Sequence, residues 1–147
     1  MNLFDQLLMD LSSAMHIPLR AEQGPFCKIH LGQSIRVQLE YDERKHTLFG
    51  VSFLPQAPSG LFAENLYLEA LKSNYDTPLI FAYSDHTQSL ALQLALSLPT
   101  PIDTLQSLLA TIQEQALLWK NAIEQNSLSS IQRAVPSKAP SPWTLMK

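Results

Sequence analysis

The chain has few of the residues that mark redox, zinc-binding or nucleotide-binding proteins. Among its 147 residues there is one cysteine, there are four glycines, and only 16% of residues are charged. The single cysteine, Cys27, excludes an internal disulfide and a multi-cysteine zinc site, so we interpret it as a small core residue. The glycines are too far apart in sequence to form a phosphate-binding loop. We therefore expect no cofactor.

Long hydrophobic runs and a basic amino-terminal region are also lacking. No run approaches the roughly 18 consecutive apolar residues of a membrane span. The opening residues, from Met1 to Asp5, contain no lysine or arginine of the kind that begins a signal peptide. The sequence therefore predicts a protein of the cytoplasm that does not insert into membranes.

Charge is distributed unevenly along the chain. Residues 1–127 hold all 13 acidic residues and 7 basic ones, whereas residues 128–147 hold 3 basic residues and no acidic one. An acidic surface disfavours nucleic acid, whose binding depends on neutralising phosphates. With 46% hydrophobic residues and few charges, the chain is expected to present apolar surface to a polypeptide partner.

Hydrophobic spacing in the first half predicts one helix followed by a three-stranded antiparallel meander. Apolar residues from Leu3 to Met15 recur at helical steps, Asn2 is placed to cap this helix, and Pro18 should stop it. Alternation of apolar and polar residues then predicts strands at 26–31, 35–41 and 47–53, with an exposed hairpin loop at 42–45.

The second half predicts a helix, a two-stranded hairpin and a long helix. Helical spacing runs from Phe62 to Asn74, and strands are expected at 79–83 and 90–98. Thr100 is a candidate cap and Pro101 a candidate first residue for a helix that reaches about Gln125. The fold class is therefore α+β, with one domain at 1–127 and a flexible basic tail containing serine and proline at 128–147.

No cluster of residues indicates catalysis. The four histidines are scattered, and Ser84-Asp85-His86 is too tightly spaced for its side chains to form a hydrolase triad. We therefore predict no catalytic residues, no metal site and no cofactor-binding residues, and we predict that the protein is not an enzyme. Trp119 is expected in the core, whereas Trp143 in the tail is compatible with either docking or disorder.

Four segments resemble a known family: the leucine-rich helix 66–74, the strand 78–83, the leucine-rich strand 88–96 and the helix 105–119 with its tryptophan. Together with the order of elements, they resemble the class I type III secretion chaperones, typified by the chaperone of the translocated intimin receptor. The resemblance covers about residues 1–127. Two features depart from the family pattern: Tyr75-Asp76-Thr77 stands where the family often has glycines, and the proline-rich tail is not general.

The resemblance implies a bacterial virulence-associated homodimer that keeps secreted effector proteins soluble by binding their amino-terminal segments in extended form. Its implied partners are a second copy, one or more effectors, and the secretion ATPase or sorting components. The implied dimer interface consists of Leu66, Tyr67, Ala70, Leu71, Tyr75, Leu79, Phe81 and Tyr83. Candidate effector contacts, which could alternatively be core residues, are Leu3, Leu7, Ile29, Ile35, Val37 and Phe49.

Two other functions stay open. A protein with the same scaffold could bind a transcription or secretion-apparatus component as a regulator instead of carrying an exported protein. An enzyme or small-ligand binder is the third class, and it would require a deep polar pocket that nothing in the sequence indicates.

Overall fold

A computed structural model describes residues 2–58, 60–74, 79–129 and 131. Its eight elements follow the predicted α-β-β-β-α-β-β-α order, so the α+β prediction is confirmed. The elements are α1 (Leu3–Met15), β1 (Phe26–Leu31), β2 (Ile35–Asp42), β3 (Thr47–Phe53), α2 (Leu61–Ser73), β4 (Ile80–Ser84), β5 (Ser89–Ser97) and α3 (Ile102–Gln125).

Helix α1 begins and ends where local chemistry predicts. The Asp5 backbone N–H donates to Asn2 Oδ1 at 2.8 Å, which satisfies one of the free donors at the helix start. The helix ends at His16, whose φ of 58° is left-handed, two residues before Pro18. The Phe4 ring stacks on the Tyr41 ring with centroids 6.2 Å apart, so α1 covers the sheet above β2.

The five strands form one antiparallel sheet in the order β1-β2-β3-β5-β4. The chain leaves β3, forms α2, and returns to the sheet through β4, so that β5 lies beside β3 and β4 lies at the edge. On one side of the sheet, the inner face, alternate residues are buried beneath α1 and α3. The opposite side, the outer face, carries the exposed residues of the alternating pattern, including Phe49 and Phe53.

Thr100 does not cap α3, so that prediction is wrong. The Thr100 hydroxyl donates to the Ser97 carbonyl at 2.7 Å instead. Pro101 keeps an extended ψ of 139° and is itself the residue before the helix, with no side-chain cap. Pro101 is therefore not the first helical residue, contrary to the prediction: the helix begins one residue later, at Ile102, and Thr100 lies one position too far out to cap its first amides.

The inner face holds the core. Trp119 is 1% exposed and packs on Phe81 with ring centroids 4.3 Å apart, and Cys27 is buried, as predicted for both. A Cβ at Gly50 would lie 3.0 Å from Leu94 Cγ, so this position in β3 has no space for a side chain. Ile131 is also buried in this core, while residues 130 and 132–147, with Trp143, lie outside the described residues.

Candidate protein-binding surfaces

Helix α2 has apolar side chains on two sides. Its inward side buries Ala63, Leu66 and Ala70. Its outward side carries Leu61, Leu68 and Leu71, which are 73%, 54% and 66% exposed. Leucines at that spacing lie along one stripe of a helix, and an exposed apolar stripe marks a surface for another protein.

Helix α2 is held against the edge strand β4 by two hydrogen bonds and one contact between aromatic rings. The Asn74 side-chain amide donates to the Phe81 carbonyl at 2.8 Å, and the Phe81 N–H donates to Asn74 Oδ1 at 2.6 Å. The Tyr67 and Tyr83 rings meet edge to face with centroids 5.9 Å apart. The exposed leucines of α2 and Tyr83, which is 52% exposed, therefore belong to one surface, the α2–β4 face, defined as Leu61, Leu68, Leu71 and Tyr83.

The predicted dimer-interface residues divide between this face and the core. Leu66, Ala70, Leu79 and Phe81 are at most 6% exposed in the single chain. Tyr67 is half-buried, whereas Leu71 and Tyr83 are exposed, and Tyr75 lies outside the described residues. The sequence reasoning missed Leu61 and Leu68. Their signal is the second set of leucines at helical spacing, offset from the set that includes Leu66.

The candidate effector-contact residues divide in the same way. Leu3 and Phe49 are 46% and 40% exposed, so another polypeptide could contact them. The others are 7% exposed or less in the core of the chain, which is the alternative that the sequence left open; they are Leu7, Ile29, Ile35 and Val37.

The two edges of the sheet differ in how far they are covered. At β4, the Asn74 side chain forms hydrogen bonds with both the N–H and the carbonyl of Phe81, so these two groups are not available to a neighbouring strand. At β1, the Phe26 carbonyl accepts from the Glu22 N–H at 2.7 Å. Beyond that bond, the Lys28 carbonyl accepts a weak contact from the Cys27 thiol at 3.8 Å, and the described residues give the stretch from Lys28 to Leu31 no main-chain partner other than β2. The β1 edge is therefore the more open to an added strand.

Two shallow grooves lie at opposite ends of β3. The first, of about 440 Å³, includes Phe49 and is lined otherwise by Pro25, Glu40, Tyr41, Asp42, Glu43 and Arg44. The second, of about 240 Å³, includes Phe53 and is lined otherwise by Ser34, Ile35, Arg36, Ser52, Leu54, Pro55 and Lys120. Both are open surface depressions, so they suit side chains of a polypeptide better than an enclosed small ligand.

The described residues show little that could support catalysis. No group of three histidine, cysteine or acidic side chains among them could hold a metal ion. Burial raises the pKa of the Cys27 thiol, which keeps it in the less nucleophilic protonated form. In the described part of the chain, no helix has the length and hydropathy to cross a membrane.

Comparison with known proteins gives matches of structure only. No family model matches the sequence, and no curated protein matches it. A chain of the HopA1–SchA chaperone–effector complex aligns with a TM-score of 0.70 and 18% identity, covering 82% of this chain and 95% of the matched chain. The structure of the Yersinia pestis type III secretion chaperone SycH with a fragment of YscM2 aligns with a TM-score of 0.65 and 15% identity, covering 78% and 97%.

A third match is YbjN from E. coli, a protein provisionally assigned as a transcription regulator. It aligns with a TM-score of 0.60 and 12% identity, covering 84% of this chain and 93% of the matched chain. Identities this low establish a shared fold and nothing finer. The protein therefore has the fold of the class I type III secretion chaperones, as the sequence resemblance predicted.

Proposed function

We propose that this protein is a type III secretion chaperone of the bacterial cytoplasm, which acts as a homodimer and binds the amino-terminal segment of one or more effectors in extended form. In this role it keeps the effector soluble and competent for secretion. It performs no reaction and needs no cofactor. The observation that carries the proposal is the combination of the chaperone fold with two separate surfaces that suit polypeptides, the α2–β4 face and the β1 edge.

The exposed leucines of the α2–β4 face support the proposal that a second copy of the chain binds there. Leu61, Leu68 and Leu71 leave three leucines of one helix in solvent, and burying them recovers the transfer free energy of apolar surface, about 25 cal/mol per Å². Because Asn74 already occupies the main-chain groups of Phe81, the two copies would meet there through side chains rather than by joining β4 strands. A symmetric dimer uses the same patch on both copies, which a helix stripe allows.

The β1 edge and the outer face support an extended client. An added strand would bond to the main chain of β1 regardless of its sequence, while alternate side chains would select its register. Leu3 and Phe49 offer exposed apolar surface for such side chains. Main-chain bonding of this kind gives a chaperone tolerance for several clients.

The experiment that tests the proposal is co-purification from the native bacterium, with proteolysis of the complex. We expect an exported protein whose amino-terminal segment alone is protected, and which precipitates when it is expressed without the chaperone. The β1 edge is tested with the variant Lys28→Pro, which removes a main-chain donor of β1 and should reduce recovery of the client. The control is Gln93→Ala, at an exposed position of β5, which has a neighbouring strand on each side. This variant should leave recovery of the client unchanged.

The second candidate function is a regulator that binds a transcription or secretion-apparatus component. The likeness to YbjN favours it, because it shows that this fold also occurs in a protein with a different provisional assignment. Co-purification separates the two functions, since a regulator would be recovered with a component that stays in the cell. Recovery of only such a component would overturn the chaperone proposal.

A further inference from the structure

A row of apolar side chains runs along β3 on the outer face. Phe49 and Phe53 are 40% and 41% exposed, and Val51 between them is half-buried. The two rings are four residues apart, which is about 13 Å along a strand. Ile80 of β4 lies on the same face, but Gln93 of β5 is paired with both Ile80 and Val51 and separates them. The row is therefore a narrow strip that follows one strand, the β3 strip, defined as Phe49, Val51 and Phe53.

The row beside this strip, on β2, changes charge from one end to the other. Arg36, Gln38 and Glu40 occupy alternate positions of β2 on the outer face. Glu40 is paired across the strands with Phe49, and Arg36 lines the same groove as Phe53. The β3 strip therefore has a carboxylate beside one of its rings and a guanidinium beside the other.

Other charged side chains strengthen this difference between the two ends. The groove at Phe49 contains two further carboxylates and one arginine. The groove at Phe53 contains Lys120 besides Arg36, and no carboxylate. Among the described residues, Lys120 has an ion-pair partner in Glu124, 3.9 Å away, while Arg36 and the three carboxylates have none. An extended partner on the β3 strip therefore meets negative potential at one end and positive potential at the other.

The dimensions of the β3 strip fit one extended segment and are too small for a second copy of the chain. An aromatic side chain has roughly 150–250 Å² to bury, so two rings at about 40% exposure offer roughly 120–200 Å² together. A stable dimer buries about 800 Å² on each partner. In an extended segment, alternate side chains lie on one side, and three of them cover the same length of about 13 Å.

We propose that the β3 strip binds an extended polypeptide segment with an ordered pattern of charge. The apolar side chains of this segment lie at alternate positions over the strip. An acidic residue at one end lies beside Arg36, and a basic residue at the other end lies beside Glu40. A segment with like charges at both ends is disfavoured, because one end is repelled. The assignment of this segment to an effector rests on the proposed function, whereas the binding itself does not.

The test measures binding of labelled synthetic peptides to the full chain by fluorescence anisotropy. The ordered peptide has phenylalanine at three alternate positions, with aspartates before them and lysines after them. The mixed peptide has the same residues, but aspartate and lysine occur together at both ends. We expect the ordered peptide to bind about tenfold more tightly, because the mixed peptide is neutral at both ends and gains neither attraction.

Variants of the chain sharpen the test. Relative to the ordered peptide, a peptide with lysines at both ends should gain about tenfold in affinity on Arg36→Glu. Arg20→Glu makes the same change in net charge at an exposed position beside α1, outside both grooves, and should change that ratio by about twofold at most. Phe53→Ser should weaken the ordered peptide, whereas Leu117→Ser, at a 42% exposed position of α3, should not. Circular dichroism checks that each variant is folded.

Each other outcome contradicts the proposal. Equal binding of the ordered and mixed peptides would overturn the charge order, and no binding of either at about 1 mM would remove the strip as a peptide site. An equal effect of Arg20→Glu and Arg36→Glu would show that only net charge acts. A fall in the mass of the free protein on Phe53→Ser, measured by light scattering, would assign the strip to a second copy. The chaperone proposal is tested separately, since co-purification of an exported client would stand without peptide binding at the strip.

Discussion

Helices α1 and α2 have the same length of 13 residues and begin with the same Leu-Phe pair, but they contribute differently to the fold. Helix α1 buries four large side chains beneath its inner side, namely Phe4, Leu7, Leu8 and Leu11. Helix α2 buries one leucine and two alanines, and leaves three leucines in solvent.

The difference teaches that hydrophobic content and burial are separate properties of a helix. Helix α1 contacts both the sheet and α3, so its four buried side chains serve the core of one chain, while Leu3 and Met9 on its other side are about half exposed. Helix α2 packs on the edge strand β4, and its outer leucines are more than half exposed in the described chain. The inner side of α2 therefore serves the folding of its own chain, and its outer leucines support the proposed contact with a second molecule.

The largest expected effect comes from the inner sides of both helices. Leu8→Ala in α1 and Leu66→Ala in α2 should each lower the free energy of unfolding by about 2–5 kcal/mol, because each leaves a cavity in the core. Met9→Ala, at a 50% exposed position, should change it by no more than about 0.5 kcal/mol. Urea unfolding followed by circular dichroism measures all three. A negligible cost for Leu66→Ala alone would show that α2 is not anchored as described.

The next effect separates the outer side of α2 from other exposed leucines. Leu71→Asp should raise the dissociation constant of the dimer by about 100-fold or more, because a charge would be buried without a partner. Leu117→Asp, at a 42% exposed position of α3, is the matched control and should leave the dissociation constant unchanged. Sedimentation of both variants over a concentration series gives the comparison. A soluble Leu71→Asp dimer of normal affinity would remove α2 from the interface.

A smaller effect tests how α2 is attached. Asn74→Ala should destabilise the fold by about 1–3 kcal/mol, since both main-chain groups of Phe81 would lose their partner. Asn121→Ala, on the exposed side of α3, is the control and should have almost no effect. Thermal unfolding measures both, and equal melting temperatures would show that the Asn74 contacts contribute nothing.

The smallest effect concerns the helix starts. Asn2→Ala should cost about 1 kcal/mol, because the Asp5 amide would lose its cap. Helix α2 follows Gly60 and has no side-chain cap to lose. Chemical unfolding of Asn2→Ala beside Asn121→Ala measures the difference, and a cost indistinguishable from that of the control would show that the cap is not formed in solution.

The sequence predicts the elements well because period and turn chemistry are local properties. Alternation of apolar and polar residues was sufficient to place β2 and β5. The cap at Asn2 and the stop before Pro18 were sufficient to place the two ends of α1. The strand order is not local, so nothing in the sequence reasoning placed β5 beside β3. The predicted cap at Thr100 was wrong because Pro101 is extended and delays the helix start to Ile102, and the Thr100 hydroxyl bonds to the Ser97 carbonyl instead.

The candidate surfaces could be predicted less well. Periodicity shows that Leu66 and Leu71 are apolar helix positions, but only the packing of α2 on β4 separates the buried one from the exposed one. The same limit applies to Ile29 in β1 and Phe49 in β3, which both lie in alternating patterns yet face opposite sides of the sheet. The two hydrogen bonds between Asn74, the residue after α2, and Phe81 of β4 follow from no spacing rule.

The central claim is that the α2–β4 face is covered by a second copy of the chain. Multi-angle light scattering of the purified full-length protein, without any client, tests this most directly. We predict a single species with twice the mass of the chain at micromolar concentration. A species with the mass of one chain, soluble and folded across the whole concentration range, would contradict the account.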